Sequence, residues 1–246
     1  DFIPDLGSQP EKLLEIIGDY DALIVRSQTK PNAEVIARGS RLRAIGRAGV
    51  GVDNIDREAA SAHGVIVMNT PTGNTVSTAE HAFALMLATA RNIAPAHAEV
   101  LKGEFKSARK AFAGVELNGK RLAVIGMGRI GSEFVKRAQG FNMKVVAFDP
   151  FLTQARADEL KVELADSPDA VLKGADVVTL HVPLTDDTRH IINTQRLALM
   201  NKGALVINCA RGGLIDEKAL RDSIDSGHIA GCALDVYEDE PPSPDH

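Results

Sequence analysis

The sequence predicts an α/β protein made of two doubly wound parallel-sheet units. Three observations carry this expectation. Short β-branched apolar runs alternate with helix-length amphipathic segments along nearly the whole chain, the pattern of βαβ units. A turn cluster, "NTPTGN" at 69–74, separates two such series. A glycine-rich turn at 126–131 stands between a strand-like run and a helix-like one. At 246 residues the chain suits one large domain or two small ones.

In the first series the strands are expected at 21–25 ("DALIV"), 42–48 ("LRAIGRA") and 64–69 ("GVIVMN"). Helical spacing runs over 10–18, 31–39 and 54–63. A long apolar helix is expected from about 75 to 94. The second series opens after "LNGK" at 117–120, with strands at 121–126, 144–149, 162–165, 176–183, 204–210 and 230–237. Helices fall between them near 129–140, 154–160, 168–173, 194–200 and 216–226. The expected division is a first unit over 1–72 and a second over 73–246. The end, "EDEPPSPDH", reads as irregular.

Composition excludes several classes. With 44% apolar and 25% charged residues the profile is that of a soluble globular protein. The formal charge of −5, with basic residues scattered, argues against nucleic acid as a partner. Cys209 and Cys232 are too few for a disulfide framework or a zinc site. They read as reduced thiols in a cytoplasmic protein, and no metal site is expected. The longest apolar stretch, "AFALMLATA" at 82–90, is far short of a membrane span, and no secretory leader is visible.

The strongest chemical motif is "VIGMGRIG" at 124–131. Gly126 permits the tight turn, Gly128 lets a pyrophosphate approach the backbone, and Gly131 lets helix and strand pack closely. The helix that begins here turns free amides and a positive dipole end toward the phosphates. The next strand ends on Asp149, near the expected interval for an acid that grips ribose hydroxyls. A carboxylate there repels a 2′-phosphate, so NAD is favoured over NADP. A plain βα turn with a solvated aspartate is the bland alternative.

"LVINCARGG" at 205–213 raises a second question, because a guanidinium is costly to bury without a partner. Arg211 sits at the carboxyl end of a strand, where open α/β sheets bind ligands. Its planar fork suits a carboxylate or the paired oxygens of a 2-oxo or 2-hydroxy acid. A structural ion pair is the commoner fate of an arginine, but the flanking glycines leave room for something other than side chains. Further anion-binding candidates are "RAGVGVDN" at 47–54, through the amides around Gly49 and Gly51, and Arg26 in "IVRS". The acid run Glu238, Asp239 and Glu240 by itself reads as a solvated loop.

Together, "GRAGVGVDNID", "NTPTGNTVSTAEH", "LNGKRLAVIGMGRIG", "FDP", "HVPL", "NCARGGLIDE" and "AGCALDVYEDEPP" resemble the D-2-hydroxyacid dehydrogenases. Within that family the likeness is greatest to members that oxidise D-3-phosphoglycerate to 3-phosphohydroxypyruvate, the first step of serine biosynthesis. The resemblance implies a Rossmann-type NAD domain plus a flavodoxin-like substrate domain. It implies that Arg211 binds the substrate's carboxylate and reacting oxygen, and that Glu240 holds and polarises a catalytic histidine. Arg26, Ser27 and the Gly49–Val50–Gly51 loop would contact substrate, with Val50 also against the nicotinamide. Gly126, Gly128, Arg129, Ile130 and Gly131 would line the pyrophosphate and Asp149 the adenosine ribose. His181, Val182 and Pro183 would flank the cofactor, Cys209, Ala210 and Arg211 would lie along it, and Asp235 would meet the nicotinamide amide. The family's dimerisation region resembles 88–105, with Phe105 where a tryptophan is common, so a homodimer or higher homo-oligomer is expected.

The chain departs from the family in two places. The acid–base histidine, which follows the glutamate in a proline–histidine pair, has no match; His246 follows Asp245 and comes too early. His63, His81, His97, His190 and His228 read as packing or surface residues. At the front, Asp1 falls near the family's second strand, so the substrate unit reads as incomplete and the chain as a fragment. Two other functions compete with the first reading. One is a reductase for glyoxylate, hydroxypyruvate or another 2-oxo acid. The other, of a different class, is a non-catalytic NAD-sensing or cofactor-binding protein.

Overall fold

The structure, a computed structural model, describes residue 3 and residues 6–244. Asp1 and His246, both weighed above, lie outside the described residues. The chain divides at Thr75/Val76 into two compact units.

The first unit holds α1 (Pro10–Ile16), β1 (Ala22–Val25), α2 (Ala33–Arg38), β2 (Ala44–Arg47), α3 (Arg57–Ala62) and β3 (Ile66–Asn69). The strands form one parallel sheet in the order β1-β2-β3, with Leu23, Ile45 and Val67 in register. Asn32 and Asp56 start α2 and α3 by accepting the Val35 and Ala59 amides at 3.0 and 2.9 Å. Leu13, Ile17, Val35, Ile36, Ile45 and Ala60 form the core on one sheet face. On the other face Ile24 is 80% exposed, with Ile66 and Met68 also open. Parallel sheets are normally covered on both faces, so among the described residues this unit is wound on one side only.

The second unit opens with α4 (Thr75–Ala90), α5 (Ile93–Leu101) and α6 (Phe105–Ala111). Here the structure corrects the single helix expected to 94. Asn92 adopts a left-handed φ of 52°, which ends α4 and starts α5, and Gly103 at φ 86° separates α5 from α6. Then follow β4 (Arg121–Ile125), α7 (Arg129–Gly140), β5 (Lys144–Phe148), α8 (Gln154–Leu160), β6 (Glu163–Leu164), α9 (Pro168–Leu172), β7 (Val177–Leu180), α10 (Thr194–Leu197), β8 (Ala204–Asn208), α11 (Glu217–Asp225) and β9 (Ile229–Leu234). The strands at 176–183 and 230–237 are shorter than expected, which frees His181–Pro183 and Asp235–Tyr237 as loop.

All six strands are parallel, in the order β6-β5-β4-β7-β8-β9. This is a doubly wound order that reverses between β4 and β7, where such sheets bind ligands beyond the strand ends. Alternation sorts the residues by face. Leu122, Val124, Val145, Ala147 and Ile207 pack with α4, α7 and α8, including Phe83, Met86 and Phe134. Ala123, Ile125, Val146, Val178 and Val206 pack with α9, α10 and α11 on the other face. No helix among the described residues is long and apolar enough to cross a membrane.

Candidate functional site

The turn leaving β4 shows why three glycines are needed. Gly126 has φ 97°, and a Cβ there would lie 2.6 Å from the His181 carbonyl oxygen. A Cβ at Gly131 would overlap the Gly126 carbonyl oxygen. Both positions are closed by protein. Gly128, in contrast, is exposed with nothing within 4 Å of an added Cβ. It caps α7 without a side-chain hydrogen bond, whereas Thr153 and Asp216 cap α8 and α11 through their oxygens. The loop is therefore shut where packing requires it and open beside the first amides of α7, as a diphosphate requires.

Asp149 follows β5. Its Oδ2 accepts the Met127 amide at 2.7 Å and its Oδ1 the Phe151 amide at 2.8 Å. These bonds fix the carboxylate against the glycine loop and leave lone pairs for two further donors, such as vicinal hydroxyls. On the neighbouring strand end His181 tilts against Phe134 at 5.3 Å, its Nε2 3.1 Å from the buried Thr179 hydroxyl. Burial pushes the His181 pKa down to about 4, so the imidazole is neutral at physiological pH. Val182 leans on Gly126, and the Pro183 carbonyl accepts the Thr188 hydroxyl at 2.7 Å.

Arg211 lies beyond β8, half-buried, and donates through Nη1 to the Ala210 carbonyl at 2.6 Å. The device that holds it is Asn208, absent from the candidates read in the sequence. Asn208 is 2% exposed; its Oδ1 accepts the Ala210 amide at 3.0 Å and its Nδ2 donates to the Arg211 carbonyl at 2.9 Å. A buried amide at the end of an otherwise apolar run was the available signal. Gly212 lets the backbone of this loop touch that of Tyr237, whose carbonyl oxygen an added Cβ would overlap.

The loop with Glu240 is tied down in several places. The Tyr237 amide donates to Glu240 Oε1 at 3.2 Å and the Glu238 amide to Glu217 Oε1 at 2.8 Å. His190 Nε2 lies 2.6 Å from Glu238 Oε1. Asp235 follows β9, and its amide donates to the Asn208 carbonyl at 2.9 Å. Its Oδ1 lies 3.2 Å from Nε2 of His81 on α4, a pairing invisible in a sequence where 81 and 235 stand far apart. The buried Cys209 thiol completes a group whose ligand atoms all lie within 4.8 Å of one another. Burial, with a smaller contribution from Asp235, pushes the Cys209 thiol up to about 12.

The remaining candidates belong to the first unit. Arg26 and Ser27 are exposed just past β1, and Gly49–Gly51 follow β2. Asn54 joins the two loops, donating from Nδ2 to the Arg26 and Thr29 carbonyls at 3.0 and 2.7 Å. It also accepts from Arg47 Nε at 3.3 Å. The Arg47 guanidinium fills the space a Cβ on Gly49 would take, and Asn69 Nδ2 donates to the Val50 carbonyl at 2.7 Å. Arg47, Asn54 and Asn69 are thus organising residues that the sequence reading left out.

The strand order, the selectively open glycine loop and the carboxylate at the next strand end define a dinucleotide-binding α/β domain of Rossmann type. Residues 83–246 match the family described as D-isomer specific 2-hydroxyacid dehydrogenase, NAD binding domain. The chain is 52% identical over 236 residues to D-3-phosphoglycerate dehydrogenase of Methanocaldococcus jannaschii, covering 96% of this chain and 45% of that protein. Among solved structures, the TT0316 protein of Thermus thermophilus superposes with a TM-score of 0.89 at 37% identity, over all of this chain and 76% of the other. D-lactate dehydrogenase from Aquifex aeolicus, complexed with NAD and lactic acid, gives a TM-score of 0.84 at 34% identity, over 92% and 67%. The chain belongs to the D-isomer specific 2-hydroxyacid dehydrogenases, and the cofactor of the matched domain is NAD. It spans a little under half the length of the curated relatives it matches.

Proposed function

We propose that the protein containing this chain oxidises D-3-phosphoglycerate to 3-phosphohydroxypyruvate, the opening step of serine biosynthesis. The observation that carries this reading is Arg211, presented at the carboxyl end of β8 by Asn208 in the domain that takes NAD. The substrate assignment leans on the relatives named D-3-phosphoglycerate dehydrogenase. NAD supplies the hydride acceptor when bound. The backbone at Gly128, Arg129 and Ile130 holds the pyrophosphate, and Asp149 holds the adenosine ribose. His181, Val182, Pro183, Cys209, Ala210 and Asp235 line the remaining length. Arg211 neutralises the substrate carboxylate and stabilises negative charge developing on the reacting oxygen. By resemblance, Glu240 would hold the family's acid–base histidine, which has no match among these 246 residues, and raise its pKa as a carboxylate neighbour does. Arg26, Ser27 and the Gly49–Gly51 amides bind the substrate's anionic groups.

The test is NADH formation by the purified protein with D-3-phosphoglycerate. Asp149→Ala is expected to raise the KM for NAD at least tenfold while kcat falls less. A higher kcat/KM for glyoxylate than for 3-phosphohydroxypyruvate in the reverse direction would move the assignment to the reductase reading. No turnover with tight NAD binding would leave the cofactor-binding reading.

Self-association is proposed as well. Ile93, Val100 and Leu101 on α5 and Phe105 on α6 expose apolar surface in the region that resembles the family's dimer contact. Sedimentation at micromolar concentration is expected to show a dimer; a monomer alone would remove this proposal.

A further inference from the structure

Among the described residues, His81, Cys209 and Asp235 are the one group of three potential metal ligands drawn together from three separate elements. His81 projects from α4, and Cys209 and Asp235 directly follow the adjacent strands β8 and β9. The His81–Asp235 pair alone would be an ordinary surface ion pair, since both side chains are about half exposed, 50% and 53%. The thiol changes the chemistry. A sulfur, an imidazole nitrogen and a carboxylate oxygen form a mixed donor set that suits a borderline or soft ion and not Mg²⁺ or Ca²⁺.

We propose that His81 Nε2, Cys209 Sγ and an Asp235 carboxylate oxygen form a three-ligand site for a thiophilic divalent ion, Zn²⁺ or Cd²⁺, and that its occupation excludes the nicotinamide end of NAD. The metal site rests on this geometry; the competition rests on the cofactor reading above.

Bond lengths of about 2.3 Å to sulfur and about 2.0–2.2 Å to nitrogen and oxygen put tetrahedral ligands roughly 3.3–3.7 Å apart. The three ligand atoms lie within 4.8 Å of one another, so coordination asks at most a small inward movement of the side chains. His81 and Asp235 have the freedom to make it, being half exposed and already 3.2 Å apart, while Cys209 stays anchored in the core. The fourth position is left to water. Asp235 and Cys209 cannot serve both the ion and the cofactor, so the two ligands exclude each other.

Cys209 is a thiol at neutral pH, so the incoming ion displaces its proton: the S–H bond breaks, the metal–sulfur bond forms and one H⁺ is released to solvent. No electron is transferred. Affinity therefore rises with pH.

The experiment titrates the purified protein with Cd²⁺ and follows the ultraviolet thiolate-to-cadmium charge-transfer band. One equivalent is expected to produce the band in the unaltered protein and in Cys232→Ser, which removes the other thiol. Cys209→Ser is expected to abolish it, and His81→Ala to weaken Cd²⁺ binding at least tenfold. His81→Ala changes a half-exposed side chain and keeps the test decisive if Cys209→Ser fails to fold. Saturating NAD is expected to raise the apparent Kd for Cd²⁺ at least tenfold. A band that survives Cys209→Ser or vanishes in Cys232→Ser overturns the site, as does unchanged affinity in His81→Ala. A site that behaves as expected but ignores NAD keeps the metal proposal and overturns the competition, and with it the placement of the nicotinamide beside Asp235.

Discussion

Between Arg211 and Gly213 the chain passes so close to Tyr237 that the backbone itself is the packing surface. Any side chain at Gly212 meets the Tyr237 carbonyl, with the Glu238 amide nitrogen 3.0 Å from an added Cβ, and neither can move aside as a flexible tip would. Gly212→Ala must part the loop of Arg211 from the loop of Glu240. The expected cost is about 2 kcal/mol or more in stability, read from the urea midpoint, with a loss in kcat/KM of at least tenfold. An unchanged midpoint would mean the two loops separate freely. His181 makes a second prediction at this scale. Its folded pKa of about 4 lies below the ordinary 6.5, so between these values the unfolded chain binds more protons than the folded one. Stability is full above pH 6.5 and falls as pH drops toward 4, by roughly 3 kcal/mol from this residue alone. Urea midpoints measured from pH 7 to 4 should fall more steeply for the unaltered protein than for His181→Gln. Parallel curves would place the imidazole in water.

At the scale of elements, what the sequence disclosed followed from local rules. Strands β4, β5, β7 and β8 alternate between two covered faces, and the glycine spacing at 126–131 encodes a turn, an opening and a close approach within six residues. The placement of Asp149 and Arg211 just beyond strand ends was legible because the apolar runs before them mark strands of a parallel sheet. The break at Asn92 was not. Asparagine is among the non-glycine residues most given to the left-handed region, yet one inside an apolar helical run does not by itself mark a stop, so the helix was expected to run on to about 94. The organising amides Asn208 and Asn54 were also missed, because each acts through carbonyls and amides of loops whose paths only the fold reveals. His81 was passed over as a surface histidine. Its partners Cys209 and Asp235 reach it only because β8 and β9 pair and α4 lies over that edge, with Thr89 Cγ2 3.5 Å from a Cβ built on Gly231.

Among the described residues, the sheet of the second unit is covered on both faces and that of the first unit on a single face. In the second unit, β7 and β8 are buried along their whole length. In the first, β1 and β3 turn Ile24, Ile66 and Met68 outward on the same face, where neighbours in register place apolar groups side by side. Gly46 lies between Ile24 and Met68 and adds no side chain to that surface. A contiguous apolar face on a parallel sheet is a binding surface for any apolar partner or dye. The 246-residue chain is therefore expected to enhance the fluorescence of an anilinonaphthalene probe in its folded state. Introducing charge through Ile24→Lys or Met68→Lys should reduce that signal at least severalfold while leaving the stability from urea unfolding within about 0.5 kcal/mol, as exposed substitutions do. The same substitutions should slow aggregation. If they instead lower the stability by several kcal/mol, the face is already covered in solution, and the apolar stripe of β1 and β3 belongs to a core.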